Sequence, residues 1–450
     1  MESAFRQIPK MDILIKAAEP LIRLHGRQLV VDALRELLED ARSAIAQGQA
    51  VSVTVESLLA HLSERLTGLQ PSVVPCINAT GTILHTGLGR SVLPRSLVDD
   101  LCQLLSGYAV LEVDLRSGER HNRLSRLSAL LMRLFKCAGA VAVNNDAAAV
   151  LLTLSTLAAG GEVIVSRGEL VEIGGSFRLP EIIKTSGVKL VEVGTTNRTY
   201  LRDYQNAITS ETKAILKVHP SNYRMIGYHT LVSVNDLREL CDAADLPLIY
   251  DIGSGAVVDV GEPLPQRALA DGADVVTFSG DKLFGACQAG IILCREASTA
   301  KAINQNPFYR AVRLDKIKLG LLERAVLLYL RGRDDLFPTL VMVSEDESAV
   351  RRRARRLCRH LRRQNIPHKL VRTNAEVGGG TLPETVIPSW GVALEPPCGD
   401  EEFAKRLRLC KPPVFSVRRE GKVILDAKCV FEHQIKKLAE VVSLCWHQSE

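Results

Sequence analysis

A lysine at position 282 closes the segment Ser279-Gly280-Asp281-Lys282, which follows the run Asp274-Val275-Val276-Thr277-Phe278 and precedes Leu283-Phe284-Gly285. An apolar run ending in such a turn reads as a strand, and open α/β sheets bind ligands at the carboxyl ends of their strands. An amine placed there can condense with an aldehyde. A hydroxyl three residues earlier, Ser279, can hydrogen-bond a phosphate. Both properties suit a Schiff base with pyridoxal phosphate. The other reading of Lys282 is a strand cap or an ion-pair partner of Asp281.

Further residues have types that suit the same cleft. Asp251 follows Leu248-Ile249-Tyr250 and precedes Gly253-Ser254-Gly255. A carboxylate at a strand end can pair with a pyridine nitrogen and keep it protonated; otherwise it caps the turn. Asn144-Asn145-Asp146-Ala147-Ala148-Ala149 closes a strand and opens a helix. Free N–H groups at a helix start favour phosphate, which makes Asn145 and Ala147 candidate contacts; an N-cap by Asn145 or Asp146 is the alternative. Asp146 would repel a phosphate if it pointed inward, so it is expected to point away or to cap. His219, in Lys217-Val218-His219-Pro220-Ser221-Asn222-Tyr223, could stack on or hydrogen-bond to a bound ring, or be satisfied at a turn.

Arg90 lies in His85-Thr86-Gly87-Leu88-Gly89-Arg90, and Arg310 and Arg313 share one face of a helix start. If the three converge, they would hold a phosphate-like oxyanion; salt bridges with neighbours such as Asp315 are the alternative. The stretch Arg167 to Gly175, with Glu169, Glu172 and three glycines, suits backbone packed closely round a cofactor. No HExxH, P-loop or Gly-x-Ser-x-Gly pattern occurs, so metalloprotease, NTPase and α/β-hydrolase chemistry have no support.

The elements that must position these residues follow from periodicity. Residues 1–70 read as helices, with Ala33, Leu34, Leu37, Leu38 and Ala41, then Leu58, Leu59, Leu62 and Leu66, at helical spacing. Gly68 and Pro71 break that pattern, and its charges nearly cancel. From 71 to 310, strands around 141–144, 163–165, 189–193, 214–218, 247–250, 275–278 and 290–293 alternate with helices. This predicts an α/β domain with a mostly parallel, doubly wound sheet. Residues 311–450 read as a smaller α+β unit, with a helix over 319–330. Arg351-Arg352-Arg353-Ala354-Arg355-Arg356 continues through Arg359, Arg362 and Arg363, with Leu357 and Leu361 on one edge. That helix either contacts nucleic-acid phosphates or presents a solvated face.

The 450 residues suffice for two or three domains. A hydrophobic content of 46% and a charged content of 24% are ordinary for a globular protein. The net charge of +6 permits an anionic partner. No apolar run approaches the ~20 residues of a membrane span, and no secretory signal is expected at the N-terminus. The 11 cysteines are dispersed without a CxxC pair, which predicts reduced thiols in the cytoplasm and no metal site.

Several longer blocks carry a resemblance. Ile77-Asn78-Ala79-Thr80-Gly81, His85-Thr86, Leu88-Gly89-Arg90, Ser166 to Phe177, Val193-Gly194-Thr195-Thr196-Asn197, and Ser279 to Gly285 with Gln288-Ala289-Gly290 resemble the bacterial selenocysteine synthases. These are the L-seryl-tRNA(Sec) selenium transferases, and the likeness covers nearly the whole chain. It implies a fold type I, aminotransferase-like transferase with pyridoxal phosphate on Lys282 and Asp251 as the pyridinium partner. It implies that Arg90, Arg310 and Arg313 hold the selenium donor, selenophosphate, or its phosphate. It also implies tRNA recognition by the N-terminal helices and a homodecameric ring of dimers with sites at dimer interfaces. The implied reaction converts seryl-tRNA(Sec) to selenocysteinyl-tRNA(Sec) through an aminoacrylyl-tRNA. The chain departs from the family pattern at Gly87, His121, Asp146, Pro220 and Ala286-Cys287. The alternatives are a lyase acting on a small amino acid or amino sugar, and a non-catalytic RNA-binding relative.

Overall fold

The computed structural model describes residues 7–49, 51–69, 71–173, 177–383 and 385–448. Two compact units divide the chain, Met1–Pro75 and Cys76–Glu450. Gly174, Gly175 and Ser176, within the block from Arg167 to Phe177, fall outside the described residues.

The first unit is helical: α1 (Met11–Ala17), α2 (Glu19–His25), α3 (Arg27–Ala46) and α4 (Val55–Gly68). The apolar residues at helical spacing turn inward. Leu14, Val30, Leu34, Leu38, Leu58, Leu62 and Leu66 form its core. Thr54 caps α4 by accepting from the Ser57 amide at 3.2 Å.

The second unit begins with β1 (Ile77–Ala79), α5 (Arg95–Leu105), α6 (Ser125–Phe135), β2 (Gly139–Val143), α7 (Asp146–Leu157) and β3 (Glu162–Ser166). A hairpin of β4 (Glu172–Ile173) and β5 (Phe177–Arg178) follows, then α8 (Leu179–Thr185), β6 (Lys189–Val193), α9 (Leu201–Ala207) and β7 (Thr212–Val218). Next come α10 (Val234–Ala244), β8 (Leu248–Gly253), α11 (Pro265–Ala270), β9 (Val275–Ser279) and β10 (Gly290–Cys294).

Seven of these strands form one sheet in the order β2-β10-β9-β8-β7-β3-β6. The pairs from β9 through β6 are parallel, while β10 runs antiparallel to both β9 and β2. Residues of β2, β3, β9 and β10 are buried throughout, as expected when helices cover both faces. The mostly parallel sheet expected from the alternation is therefore present, with one reversed strand inserted beside β2.

The chain continues through α12 (Ala297–Gln305), α13 (Pro307–Val312), α14 (Lys316–Leu330), α15 (Pro338–Ser344) and α16 (Glu347–Arg363). Leu319, Leu322, Val326, Tyr329 and Phe337 join the core of the large sheet. A second sheet holds β1 together with β9-following strands β11 (Lys369–Ala375), β12 (Ile387–Leu394), β13 (Val414–Arg419) and β14 (Lys422–Asp426), in the order β1-β13-β14-β12-β11. The segment β1 thus pairs, in parallel, with a strand more than three hundred residues later. Helices α16, α17 (Asp400–Leu409) and α18 (Ile435–His447) cover this sheet through Leu357, Leu361, Phe403, Leu407, Leu438 and Val442. Among the described residues, no helix is long and apolar enough to cross a membrane.

Candidate active site

Lys282 sits in the turn after β9, 3% exposed. Backbone hydrogen bonds pin that turn on three sides: Gly280 N–H to Ala289 O at 2.8 Å, Leu283 N–H to Ser254 O at 3.0 Å, and Ser91 N–H to Asp281 O at 3.3 Å. Phe284 anchors it from below. Its ring lies 5.9 Å from Phe278 and 5.3 Å from Tyr329, whose hydroxyl donates to Phe284 O at 2.8 Å. A buried Phe contributes about 1.5–3 kcal/mol, and such ring pairs add about 0.5–1.5 kcal/mol, so the lysine stands on a rigid platform.

The alternative role for Lys282, an ion pair with Asp281, is not the observed arrangement. Asp281 Oδ2 accepts from Arg90 Nη1 at 3.0 Å. Lys282 instead shares a cavity of about 210 Å³ with Asp251, Asp146, Ser279, His219 and Arg90. It is the single lysine among the lining residues. Burial pushes its pKa down, against the opposing pull of Asp146 and Asp251.

Asp251 belongs to the end of β8 itself rather than to the loop after it. It pairs in register with Val218 on one side and Thr277 on the other. Thr277 Oγ1 donates to Asp251 Oδ1 at 3.0 Å. Burial raises the Asp251 carboxyl to about 6, while the Thr277 hydrogen bond and the Lys282 charge oppose the rise. Just beyond it, Gly253 has φ +72, and a Cβ there would stand 3.7 Å from Lys282 Nζ and 3.5 Å from Ser221 Oγ. Those are ordinary contact distances, so the positive φ rather than space is what calls for glycine there.

Asn145 caps α7: its side chain accepts from the Ala148 amide at 2.9 Å. The amides of Asp146 and Ala147, the first helical residues, have no intrahelical acceptor, and both residues line the cavity. The expectation that Asp146 points away or caps is corrected. Asp146 Oδ2 accepts from Ser279 Oγ at 3.3 Å, and Oδ1 is buried without a hydrogen-bond partner. The cap position is filled by Asn145, so Asp146 falls one residue on, where the side chain faces the next strand end. Burial, then the Asp251 charge, raises its pKa well above the usual carboxylate range.

His219 follows β7, and its amide donates to Asp251 O at 2.8 Å. Its Nε2 lies 3.2 Å from Glu262 Oε2, a buried carboxylate. Glu262 fixes this ring, and nothing in its sequence surroundings signals that. Ser221 and Gln288 also line the cavity; the strand-end position of Ser221, two residues after His219, was the signal available for it.

The three arginines are not brought together in one chain. Arg90 lines the Lys282 cavity. Arg313 lines a separate pocket with Glu112 and Arg123, its Nη1 3.4 Å from Glu112 Oε1. Arg310 is exposed on α13. The carboxylates after β3 serve other ends. Glu169 is buried in an ion pair with Lys217 at 2.7 Å, and Glu172 pairs with Arg178 at 2.7 Å.

These residues fit pyridoxal phosphate. Lys282 is a buried amine with a depressed pKa, Asp251 is a half-buried carboxylate one strand away, and Ser279 and the start of α7 offer donors to an anion. The orphaned Asp146 Oδ1 marks a polar atom whose partner must come from within the cavity.

Comparison with known proteins agrees with this geometry. The family model "L-seryl-tRNA selenium transferase" matches residues 76–431, and the model "Selenocysteine synthase N terminal" matches residues 5–42. The L-seryl-tRNA(Sec) selenium transferase of Rhizobium meliloti is 40% identical over 457 residues, covering 97% of each chain. That of Serratia proteamaculans is 39% identical, covering 95% of this chain and 96% of its own. The solved structure of a D-glucosaminate-6-phosphate ammonia-lyase superposes with a TM-score of 0.59 at 19% identity, over 86% of this chain and 98% of that one. The last likeness concerns the fold, which is that of fold type I enzymes. With matching family models over both units and near-complete coverage of its relatives, the chain belongs to the L-seryl-tRNA selenium transferase family.

Proposed function

We propose that this chain converts L-seryl-tRNA(Sec) to L-selenocysteinyl-tRNA(Sec), with selenophosphate as selenium donor and pyridoxal phosphate as cofactor. The observation that carries the reading is Lys282, a buried amine that has no ion-pair partner among the described residues, held on a pinned turn beside Asp251.

When bound, pyridoxal phosphate supplies an aldehyde that condenses with amines and a ring that withdraws electrons from the α-carbon. Lys282 Nζ is the amine that would hold that aldehyde in the resting enzyme. Burial lowers its pKa, which favours the neutral amine that would take the α-proton. Asp251, oriented by Thr277, would pair with the ring nitrogen. His219, held by Glu262, forms a wall of the cavity. Ser279 and the start of α7 hold the phosphate through Asn145 and Ala147. The α-proton and the β-hydroxyl of the seryl group would leave together as water; selenium from selenophosphate would then bond to the β-carbon, its bond to phosphorus cleaved by water so that phosphate departs.

Arg90 is the donor-binding arginine on the chain's own cavity. Arg310 and Arg313 serve the site of a neighbouring copy, in a ring of dimers of the decameric kind. Their separation from the Lys282 cavity supports this assignment. The helical unit of residues 1–75 recognises the tRNA, and the cytoplasm, where aminoacyl-tRNA is made, is the compartment of the reaction.

The test is conversion of seryl-tRNA(Sec) with selenophosphate by the cofactor-loaded protein. Wild type should show visible absorbance from lysine-bound cofactor and should form selenocysteinyl-tRNA. Lys282→Ala should lose both. Turnover of free amino acids without turnover of seryl-tRNA(Sec) would establish the lyase instead.

A further inference from the structure

Helix α16 carries eight arginines and one acid, Glu347, in 17 residues. Its apolar edge, Val350, Ala354, Leu357, Cys358 and Leu361, is buried against the second sheet and α18. Some of its arginines have internal work. Arg353 forks onto Glu345 at 2.8 and 2.7 Å and donates to Ala427 O. Arg351 stacks over Trp390 at 4.5 Å. Arg356 pairs with Glu432 at 2.6 Å, and Arg352 donates to Ser348 Oγ at 3.1 Å.

Arg355, Arg359 and Arg362 differ. They are exposed, and among the described residues none has an ion pair or a side-chain hydrogen bond. Their spacing of four and three residues puts them on one stripe. They line a shallow cleft of about 820 Å³ with Arg352, Arg356 and His368. The only acid lining that cleft, Glu432, is already paired. Like charges four residues apart, Arg352 with Arg356 and Arg355 with Arg359, repel each other. Glu432 offsets Arg356, but among the described residues no acid pairs with Arg355, Arg359 or Arg362, so the stripe suits an external polyanion.

We propose that this cleft is a phosphate-backbone contact surface for the tRNA substrate. The inference rests on the tRNA reading above and adds a second place where the RNA is held. From Arg352 to Arg362 the helix advances ~15 Å, enough for several successive phosphates of one RNA strand. Planar guanidinium forks suit phosphate oxygens. Contacts of this kind set affinity and position rather than sequence choice.

The probe is an unacylated tRNA(Sec) transcript, and the readout is fluorescence anisotropy of its binding to the cofactor-loaded full chain between about 50 and 200 mM salt. Arg355→Gln, Arg359→Gln and Arg362→Gln combined should lower the slope of log affinity against log salt by about 2–3 and weaken binding on the order of 10- to 100-fold. The visible absorbance of the cofactor should not change. The corresponding triple lysine variant should keep most of the slope. With the glutamine variant, KM for seryl-tRNA(Sec) should rise while kcat holds. An unchanged slope overturns the proposal, as does tighter binding of anionic lipid vesicles than of the transcript by the wild type. A wild type that binds the transcript without converting its seryl form defeats the proposed reaction and leaves this surface standing. One that converts it, with the glutamine variant indistinguishable, defeats the surface alone.

Discussion

Three carboxylates surround one buried amine. Asp281 pairs with Arg90, Asp251 is raised to about 6, and burial and the Asp251 charge raise Asp146 well above the usual carboxylate range. A neutral Asp146 can donate to an anion at the start of α7, and an ionised one repels it. Cofactor affinity should therefore weaken as pH rises through the elevated Asp146 titration. Asp146→Asn should bind more tightly above that pH and flatten the profile, as read by absorbance titration of pyridoxal phosphate against pH. Linkage gives the sign for stability. A carboxyl whose folded pKa lies above its unfolded value, near 3.8, stabilises the fold below that value, and this contribution is lost as pH rises through the folded pKa. The cofactor-free Asp146→Asn protein should thus melt higher than wild type at neutral pH, by calorimetry. The chemistry of Lys282 and Asp251 was legible because their types and strand-end positions suffice to suggest it. The inward turn of Asp146 was not, because a one-residue choice of helix cap decides it.

At the scale of elements, the site depends on two strand ends brought within side-chain reach. Gly253 stands between them at φ +72. Alanine there would carry a left-handed backbone cost of about 1–2 kcal/mol, its methyl at an ordinary contact distance of 3.7 Å from Lys282 Nζ. Gly253→Ala should lower the denaturant midpoint accordingly and reduce cofactor occupancy, measured by the visible absorbance per protein. The strand positions could be read from hydrophobic runs, and Lys189–Val193 appears with the expected bounds. The reversal of β10 could not be read, because a buried apolar run has no direction in its periodicity. Nor could the pairing of β1 with β13, which depends on contacts between distant segments.

At the scale of the molecule, the first unit owns a core of Leu14, Leu34, Leu62 and Leu66, and the second owns the cavity. Removing residues 1–75 should leave cofactor absorbance intact and weaken tRNA binding by at least 10-fold, about 1.4 kcal/mol. Unchanged binding would reassign that unit. The chain's own order of residues determined the α/β class, the helical N-terminal segment, the cofactor chemistry and the family. All of these are written in local periodicity and in contiguous blocks such as Ser279 to Gly285. Tertiary structure alone decided that Asp281 belongs to Arg90, that Asp146 faces the amine, that Arg310 and Arg313 lie away from the Lys282 cavity, and that among the described residues Arg355, Arg359 and Arg362 of α16 have no ion-pair partner. The reason is physical: a side chain's partner is set by which distant strand or helix comes beside it, and by how much water that neighbour excludes.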